Sequence, residues 1–357
     1  MKIVTVLGTR PEIIKLSPLL PRLDELGQHV IVHSGQHYSA EMDAVFFDDL
    51  ELRTPDRFLR VGSRPPVEQV ARIATGVEDV IRALRPDWVI VHGDTNTTLA
   101  GALAAAKYRA AGVRLAHVEA GARSFNELQP EELNRVLVDR MSDLLFAPTD
   151  EDAANLAAEG IREDRVVVTG NTVVEACTRM ASLVNGDAPF GLSSHGYVVA
   201  TLHRPETVDM PDVLPKLWRA LVDVAGLLPV VVLLHPRTRR MLAEFGVKTR
   251  APGLDVREPV GYREMIALLK GARFCITDSG GLQEEAAILG VPALVPRNET
   301  EHRRYVNCGL HRLAGPDPDA LIREARLLLT DAICEERRRM AVKPDNDVTE
   351  TIIRAIR

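Results

Sequence analysis

The chain has 357 residues, 46% hydrophobic and 26% charged, with a formal net charge of −6 and a mean hydropathy of −0.03, the composition of a globular protein large enough for two cores. The acidic balance and 4% aromatic content give no footprint for nucleic acid; no apolar run reaches the roughly 20 residues of a membrane span, and the strand-like start carries no secretory signal, so a cytoplasmic protein is expected. Cys177, Cys275, Cys308 and Cys334 lack metal or redox spacing and predict neither a disulfide framework nor a metal site.

Apolar, β-branched runs separated by longer helix-like segments recur along the chain, which is the signature of βαβ units and parallel sheets. The first half supplies runs at 3–7, 30–33, 88–92, 113–118, 144–147 and 166–169. The pattern restarts with runs at 197–202, 229–234, a weaker one at 254–256, then 274–277 and 293–295. Two open α/β sheets fit this better than one. The segment 185–194 is rich in Gly, Ser and Pro and reads as an interdomain linker. The expected division is 1–171 for the first domain and 172–347 for a linker helix and second domain, with a terminal helix at 348–357 that packs back on the first.

Open α/β sheets bind ligands beyond the carboxyl ends of their strands, and polar residues gather there. In the first half these are Gly8-Thr9-Arg10-Pro11-Glu12, Gly35-Gln36-His37, His92-Gly93-Asp94-Thr95 and His117-Val118-Glu119. In the second they are His203-Arg204-Pro205-Glu206, His235-Pro236-Arg237 and Asp278-Ser279-Gly280-Gly281. Two such rows imply a cleft between two domains. The strand-glycine-helix junction at Ser279 has two readings. The glycines and helix N-terminus suit a nucleotide diphosphate, with Glu284 or Glu285 reaching a ribose hydroxyl; equally, Ser279 is an ordinary N-cap. Arg10 and Lys15 read as phosphate ligands or as solvated side chains, Asp94 and Glu119 as acid/base groups or caps, and His203 and His235 as site or core histidines. So many ionisable residues along one edge favour a site. No Gly-x-Gly-x-x-Gly follows a predicted strand and no Gly-x-x-x-x-Gly-Lys-Ser/Thr occurs, so neither a common NAD site nor a P-loop is supported.

Taken together in order, these motifs and Pro130-Glu131-Glu132-Leu133-Asn134-Arg135 resemble the non-hydrolysing UDP-N-acetylglucosamine 2-epimerases over nearly the whole chain. The resemblance implies two Rossmann-like doubly wound domains in a glycosyltransferase-B type architecture, a UDP-sugar ligand, no cofactor, a homodimer, and a role in making cell-surface polysaccharide precursors. It implies reversible conversion of UDP-N-acetylglucosamine to UDP-N-acetylmannosamine by elimination and re-addition of UDP through a glycal. Carried over by motif, Asp94, Glu119 and Glu131 are the acid/base carboxylates and His203 a catalytic or diphosphate-stabilising residue. Arg10, Lys15 and Arg135 hold negative charge, Ser279, Gly280 and Gly281 bind diphosphate, Glu285 binds ribose and His235 joins the substrate-binding set. Clustered carboxylates are expected to raise one another's pKa.

The sequence departs from the family where Thr300-Glu301-His302-Arg303-Arg304 stands in place of Thr-Glu-Arg-Pro-Glu. Gln36-His37-Tyr38-Ser39 likewise lacks the second Gln of the Gln-His-x-Gln segment with which some bacterial members bind an activating second substrate, so Gln36 and His37 are the allosteric candidates. The rivals are a hydrolysing 2-epimerase, a 2-epimerase of a modified UDP-sugar such as a diacetamido-uronic acid, a UDP-sugar glycosyltransferase on the same scaffold, and a catalytically silent UDP-sugar sensor.

Overall fold

Two all-parallel sheets organise the computed structural model, which describes residues 1–36, 40–184, 189–300, 302–342 and 347–357. The first sheet contains β1 (Lys2–Leu7), β2 (Gln28–His33), β3 (Arg57–Phe58), β4 (Trp88–His92), β5 (Arg114–Val118), β6 (Leu144–Ala147) and β7 (Val166–Val168), in the order β3-β2-β1-β4-β5-β6-β7. The second contains β8 (Val198–Thr201), β9 (Val230–Leu233), β10 (Leu254–Arg257), β11 (Phe274–Thr277), β12 (Ala293–Val295) and β13 (His311–Leu313), in the order β10-β9-β8-β11-β12-β13. Both are doubly wound, and each reverses its winding once: between β1 and β4, and between β8 and β11. In this topology a crevice opens at the carboxyl ends of the two strands where the order reverses.

The sequence produces this layering because both sheet faces are covered, so strands need not alternate with polar residues. In the second unit Val198, Ala200, Phe274 and Ile276 pack with Trp218, Leu221 and Val224 of the helix Leu214–Ala225. Their neighbours Val199 and Cys275 face the other way, toward Leu268, Leu269 and Ala286. In the first unit Val4, Val6, Val89 and Val91 meet Ile73, Val77 and Ile81, which are spaced four apart on the helix Pro66–Leu84.

Compactness divides the chain into Met1–Ala176 with Asp345–Arg357, and Cys177–Pro344. The break falls inside the helix Thr172–Leu183, whereas the glycine-rich stretch at 185–188 lies outside the described residues. The terminal helix Val348–Ile356 is fixed within the first unit by Trp88 Nε1 donating to Ile356 O (3.0 Å) and by the Arg22–Glu350 ion pair (3.0 Å). No helix among the described residues is long and apolar enough to cross a membrane.

Candidate active site

At the first switch point the loop after β1 is drawn tight. A Cβ on Gly8 would fall 1.8 Å from Ser34 Oγ, so only glycine fits. Thr9 caps the helix Arg10–Leu16, and Glu12 closes the capping box, accepting from the N–H groups of Gly8 (2.8 Å) and Thr9 (2.7 Å). Its other oxygen accepts from Thr95 Oγ1 at 2.7 Å, so a carboxylate only 1% exposed joins the loops after β1 and β4. Thr95 in turn caps the helix Asn96–Lys107.

That stitching leaves a cavity of about 170 Å³ lined by Lys15, His92, Asp94, Glu119 and Arg135 among others. Of the three carboxylates in the lining, Glu12 is held by the two loops it joins, and each of the other two has its own cation. Lys15 Nζ stands 2.8 Å from both Glu119 oxygens, and His92 Nε2 lies 3.0 Å from Glu119 Oε2. Arg135 donates Nε (2.9 Å) and Nη2 (2.5 Å) to Asp94 Oδ2. Glu119 adopts φ 69°, the left-handed region that a residue with a Cβ seldom occupies. Strain of this kind survives where the surroundings over-determine it, commonly at functional sites.

The expected mutual raising of carboxylate pKa values does not hold for Glu119. Burial pushes it up, but the Lys15 ammonium and the His92 contact outweigh burial and hold it well below the usual carboxylate range. The reason is local pairing, because a cation at contact distance acts more strongly than a second carboxylate further off.

Behind the cavity wall lies a second layer. Asp139, fully buried, meets His117 Nδ1 (2.7 Å) and Arg123 (2.7 Å) and accepts from Gly121 N (3.2 Å), while His117 Nε2 lies 2.8 Å from Gly93 O. This network ties β5 and its following loop to the Gly93-Asp94 turn.

Not every candidate of the first half reaches this cavity. Arg10 is not among its lining residues; its guanidinium stands 5.4 Å from the centre of the Phe46 ring. Glu131 is exposed in the first turn of the helix Pro130–Met141 and also lies off the lining. Its neighbour Glu132 is the buried one. It accepts from the N–H groups of Ser124 (2.9 Å) and Phe125 (3.0 Å) and pairs with Arg135 at 2.8 Å. Gln36 Oε1 accepts from Thr97 N (3.2 Å) and Oγ1 (2.7 Å), and His37 lies outside the described residues.

The second switch point repeats the stitching. Asp278, fully buried at the end of β11, accepts from the N–H groups of His203 and Arg204 after β8, each at 3.0 Å. The His203 ring is 5.7 Å from that of His235, with Nδ1 3.8 Å from Asp278. Burial pushes the His203 imidazole below its ordinary value, and the Asp278 charge opposes this. His235 caps the helix Pro236–Glu244 through Nδ1, which accepts from Arg237 N at 3.2 Å.

Ser279 caps the helix Gly280–Ile288, its hydroxyl facing Leu282 N at 3.5 Å. Gly281 is exposed, and a Cβ there would meet nothing within 4 Å. Neither packing nor backbone conformation therefore asks for glycine, whereas close approach of a ligand to a helix N-terminus does. Glu284 and Glu285 are both buried, at 4% and 7% exposure. Glu284 lies 3.9 Å from His302 Nδ1 and 3.8 Å from Arg304 Nη2, so the divergent segment after β12 closes on this helix.

Sequence reasoning assigned no role to Glu12, His92, Glu132 or Asp278. A Thr-x-x-Glu capping pattern flags Glu12. For Glu132, His92 and Asp278 the signal is only position at a strand or helix end, which does not say which way a side chain turns.

The model of the UDP-N-acetylglucosamine 2-epimerase family matches residues 22–357. A UDP-N-acetylglucosamine 2-epimerase of Methanococcus maripaludis is 40% identical over 332 residues, 90% of each chain. A UDP-2,3-diacetamido-2,3-dideoxy-D-glucuronate 2-epimerase of Pseudomonas aeruginosa is 40% identical over 342 residues, 94% of each chain. The crystal structure of the Methanocaldococcus jannaschii UDP-GlcNAc 2-epimerase, in complex with UDP-GlcNAc and UDP, superposes with a TM-score of 0.86 at 38% identity, covering 100% of this chain and 99% of that one.

Proposed function

The chain belongs to the UDP-N-acetylglucosamine 2-epimerase family, and we propose that it interconverts UDP-N-acetylglucosamine and UDP-N-acetylmannosamine without hydrolysis. The observation that carries this reading is the pair of separately neutralised carboxylates, Glu119 with Lys15 and Asp94 with Arg135, around one cavity at a switch point.

The C2 hydrogen of the sugar is not adjacent to a carbonyl, so its removal needs help from the ring. Cleavage of the C1–O bond sends the electron pair out with UDP and gives C1 oxocarbenium character; loss of the C2 proton to a carboxylate then leaves the neutral glycal. Reprotonation at C2 from the other face and return of the UDP oxygen to C1 close the cycle, with no redox change. Glu119, kept ionised by Lys15 and His92, suits the base. Asp94 and Glu131 are the partners for delivery of a proton to the opposite face. Ser279, Gly280 and Gly281 offer a helix N-terminus to the departing diphosphate, aided by His203 and His235, Glu285 is assigned to the ribose, and Arg10 with Lys15 and Arg135 to the negative charge at the first switch point.

Incubation with UDP-N-acetylglucosamine in deuterated water, followed by NMR, tests the reading. Deuterium at C2 of intact UDP-N-acetylmannosamine is expected. Free N-acetylmannosamine with UDP would mean hydrolysis, and no turnover would remove the assignment. The equal identity to the diacetamido-glucuronate enzyme supports a second reading, in which only the sugar's C3 and C6 substituents differ; the same experiment with that substrate decides between them. An exposed apolar group on the first unit, Leu128 (92%), Leu133 (59%) and Leu137 (41%), supports a homodimer, which light scattering would measure.

A further inference from the structure

His92 ends β4, is 3% exposed and lines the cavity. Neither ring nitrogen makes a well-aligned hydrogen bond among the described residues, but Nε2 stands at ion-pair distance, 3.0 Å, from Glu119 Oε2. A neutral imidazole carries one ring proton. Facing a carboxylate on one side and no acceptor on the other, that proton belongs on Nε2. Lys15 grips the same carboxylate through both oxygens at 2.8 Å. The carboxylate so held hangs from a backbone with φ 69°, a conformation that needs fixing from outside.

We propose that His92 is a positioning residue for Glu119: its Nε2 edge, in contact with the carboxylate, acts with Lys15 to hold it in one orientation at the cavity wall and in the form that accepts a proton. The inference rests on the reading of Glu119 as the base. His92 is not itself a second base, because the nitrogen that faces Glu119 already carries its proton. Other charged groups near Glu119 are Asp152, on the helix Asp150–Ala158, which opposes ionisation, Glu12 in the same lining, whose oxygens accept from Gly8, Thr9 and Thr95, and Asp94 with Arg135 across the cavity, which neutralise each other. Lys15 and His92 are therefore the two groups that keep Glu119 ionised against burial, and losing either donor should raise its proton affinity.

Two measurements on wild type, His92→Met and His92→Gln test this. One is the titration of the Glu119 carboxylate by carbon-13 NMR without ligand, assigned with Glu119→Gln; the other is the pH profile of C2 exchange on UDP-N-acetylglucosamine. Methionine fills the space without a donor, whereas the glutamine amide returns an N–H near the Nε2 position. His92→Met should move both the Glu119 titration and the acid limb of the profile up by about one pH unit or more, with KM within about threefold of wild type, and His92→Gln should recover most of the shift. A folded His92→Met whose Glu119 titrates as in wild type overturns the proposal, since a purely structural role would lower the rate without moving the limb. If His92→Met fails to fold, His92→Asn takes its place: its shorter amide should leave the shift in place where glutamine removes it, and equal behaviour of the two overturns the proposal. Wild type that does not turn over the sugar, but whose Glu119 titration still moves in His92→Met, would sink the proposed reaction and leave the clamp standing.

Discussion

Lys15 Nζ lies 2.8 Å from both oxygens of Glu119, although 104 residues separate the two in sequence. A single ammonium centred on a carboxylate is a committed pair, so Lys15 is spoken for inside the first unit before any ligand arrives. Removing one member of such a pair leaves the other poorly compensated in a largely buried site, and the penalty for that exceeds what the pair adds. Lys15→Met should therefore destabilise the protein by about 2–4 kcal/mol, and Lys15→Met with Glu119→Gln together by clearly less than the sum of the two single changes. Urea unfolding of the four proteins measures this; strict additivity would show that the two side chains do not depend on each other.

The proton-transfer roles make a separate claim, because chemistry and nucleotide binding are assigned to different units. Asp94→Asn and Glu131→Gln should each lower C2 exchange by at least about 100-fold, the usual scale for a positioned acid or base. Affinity for UDP, measured by calorimetry, should stay within about threefold. Weakened UDP binding in either variant would move that residue to the nucleotide. Wild-type exchange in Glu131→Gln would reduce this exposed residue to an ordinary first-turn carboxylate that favours the helix dipole.

Gly281 separates fold from function with one methyl group. A Cβ there meets nothing within 4 Å, and the residue sits in the first turn of the helix Gly280–Ile288. Alanine is the better helix former by roughly 0.5–1 kcal/mol. Gly281→Ala should thus melt at the same temperature or slightly higher, yet bind UDP at least about tenfold more weakly, because the methyl occupies the approach to the helix N-terminus. Unchanged UDP affinity in this variant would take the glycine turn out of the diphosphate site.

The fold was legible because both sheets are covered on both faces, which makes their strands read as uninterrupted apolar runs such as 88–92 and 274–277. Two strands escaped. Arg57–Phe58 is two residues long with both exposed, and His311–Leu313 is three residues with a charged centre, so neither makes an apolar run. The carboxyl-edge motifs pointed to Asp94, Glu119 and Lys15, and the family resemblance to Arg135; the structure gathers all four around one cavity. What sequence does not carry is direction. Glu131 and Glu132 are adjacent in sequence, and a helix turns each residue about 100° from the last, so one faces solvent while the other holds Arg135. The pairing of each carboxylate with its own cation was equally hidden, since it depends on contacts across 41 residues for Asp94 and Arg135 and 104 for Glu119 and Lys15.

The buried histidines set how stability depends on pH. Burial pushes His33 down to about 4, and His311 likewise to about 4. His311 is satisfied as a neutral ring: Nδ1 accepts from Ala293 N at 3.2 Å, which leaves Nε2–H to donate to Gln283 O at 2.9 Å. In the unfolded chain both residues return to about 6.5. Below that pH the unfolded chain binds protons that the folded protein refuses, so the stabilisation is fully present above about pH 6.5 and is lost as pH falls toward 4. The slope is about 1.4 kcal/mol per pH unit for each histidine once the unfolded form is fully protonated, and the loss levels off near pH 4, where the folded protein protonates as well. Urea midpoints measured between pH 7.5 and 4.5 should therefore decline steadily below pH 6.5. His311→Gln, less stable at neutral pH, should flatten that decline by about 1.4 kcal/mol per pH unit. A decline as steep as in wild type would show that His311 takes up its proton without unfolding the protein.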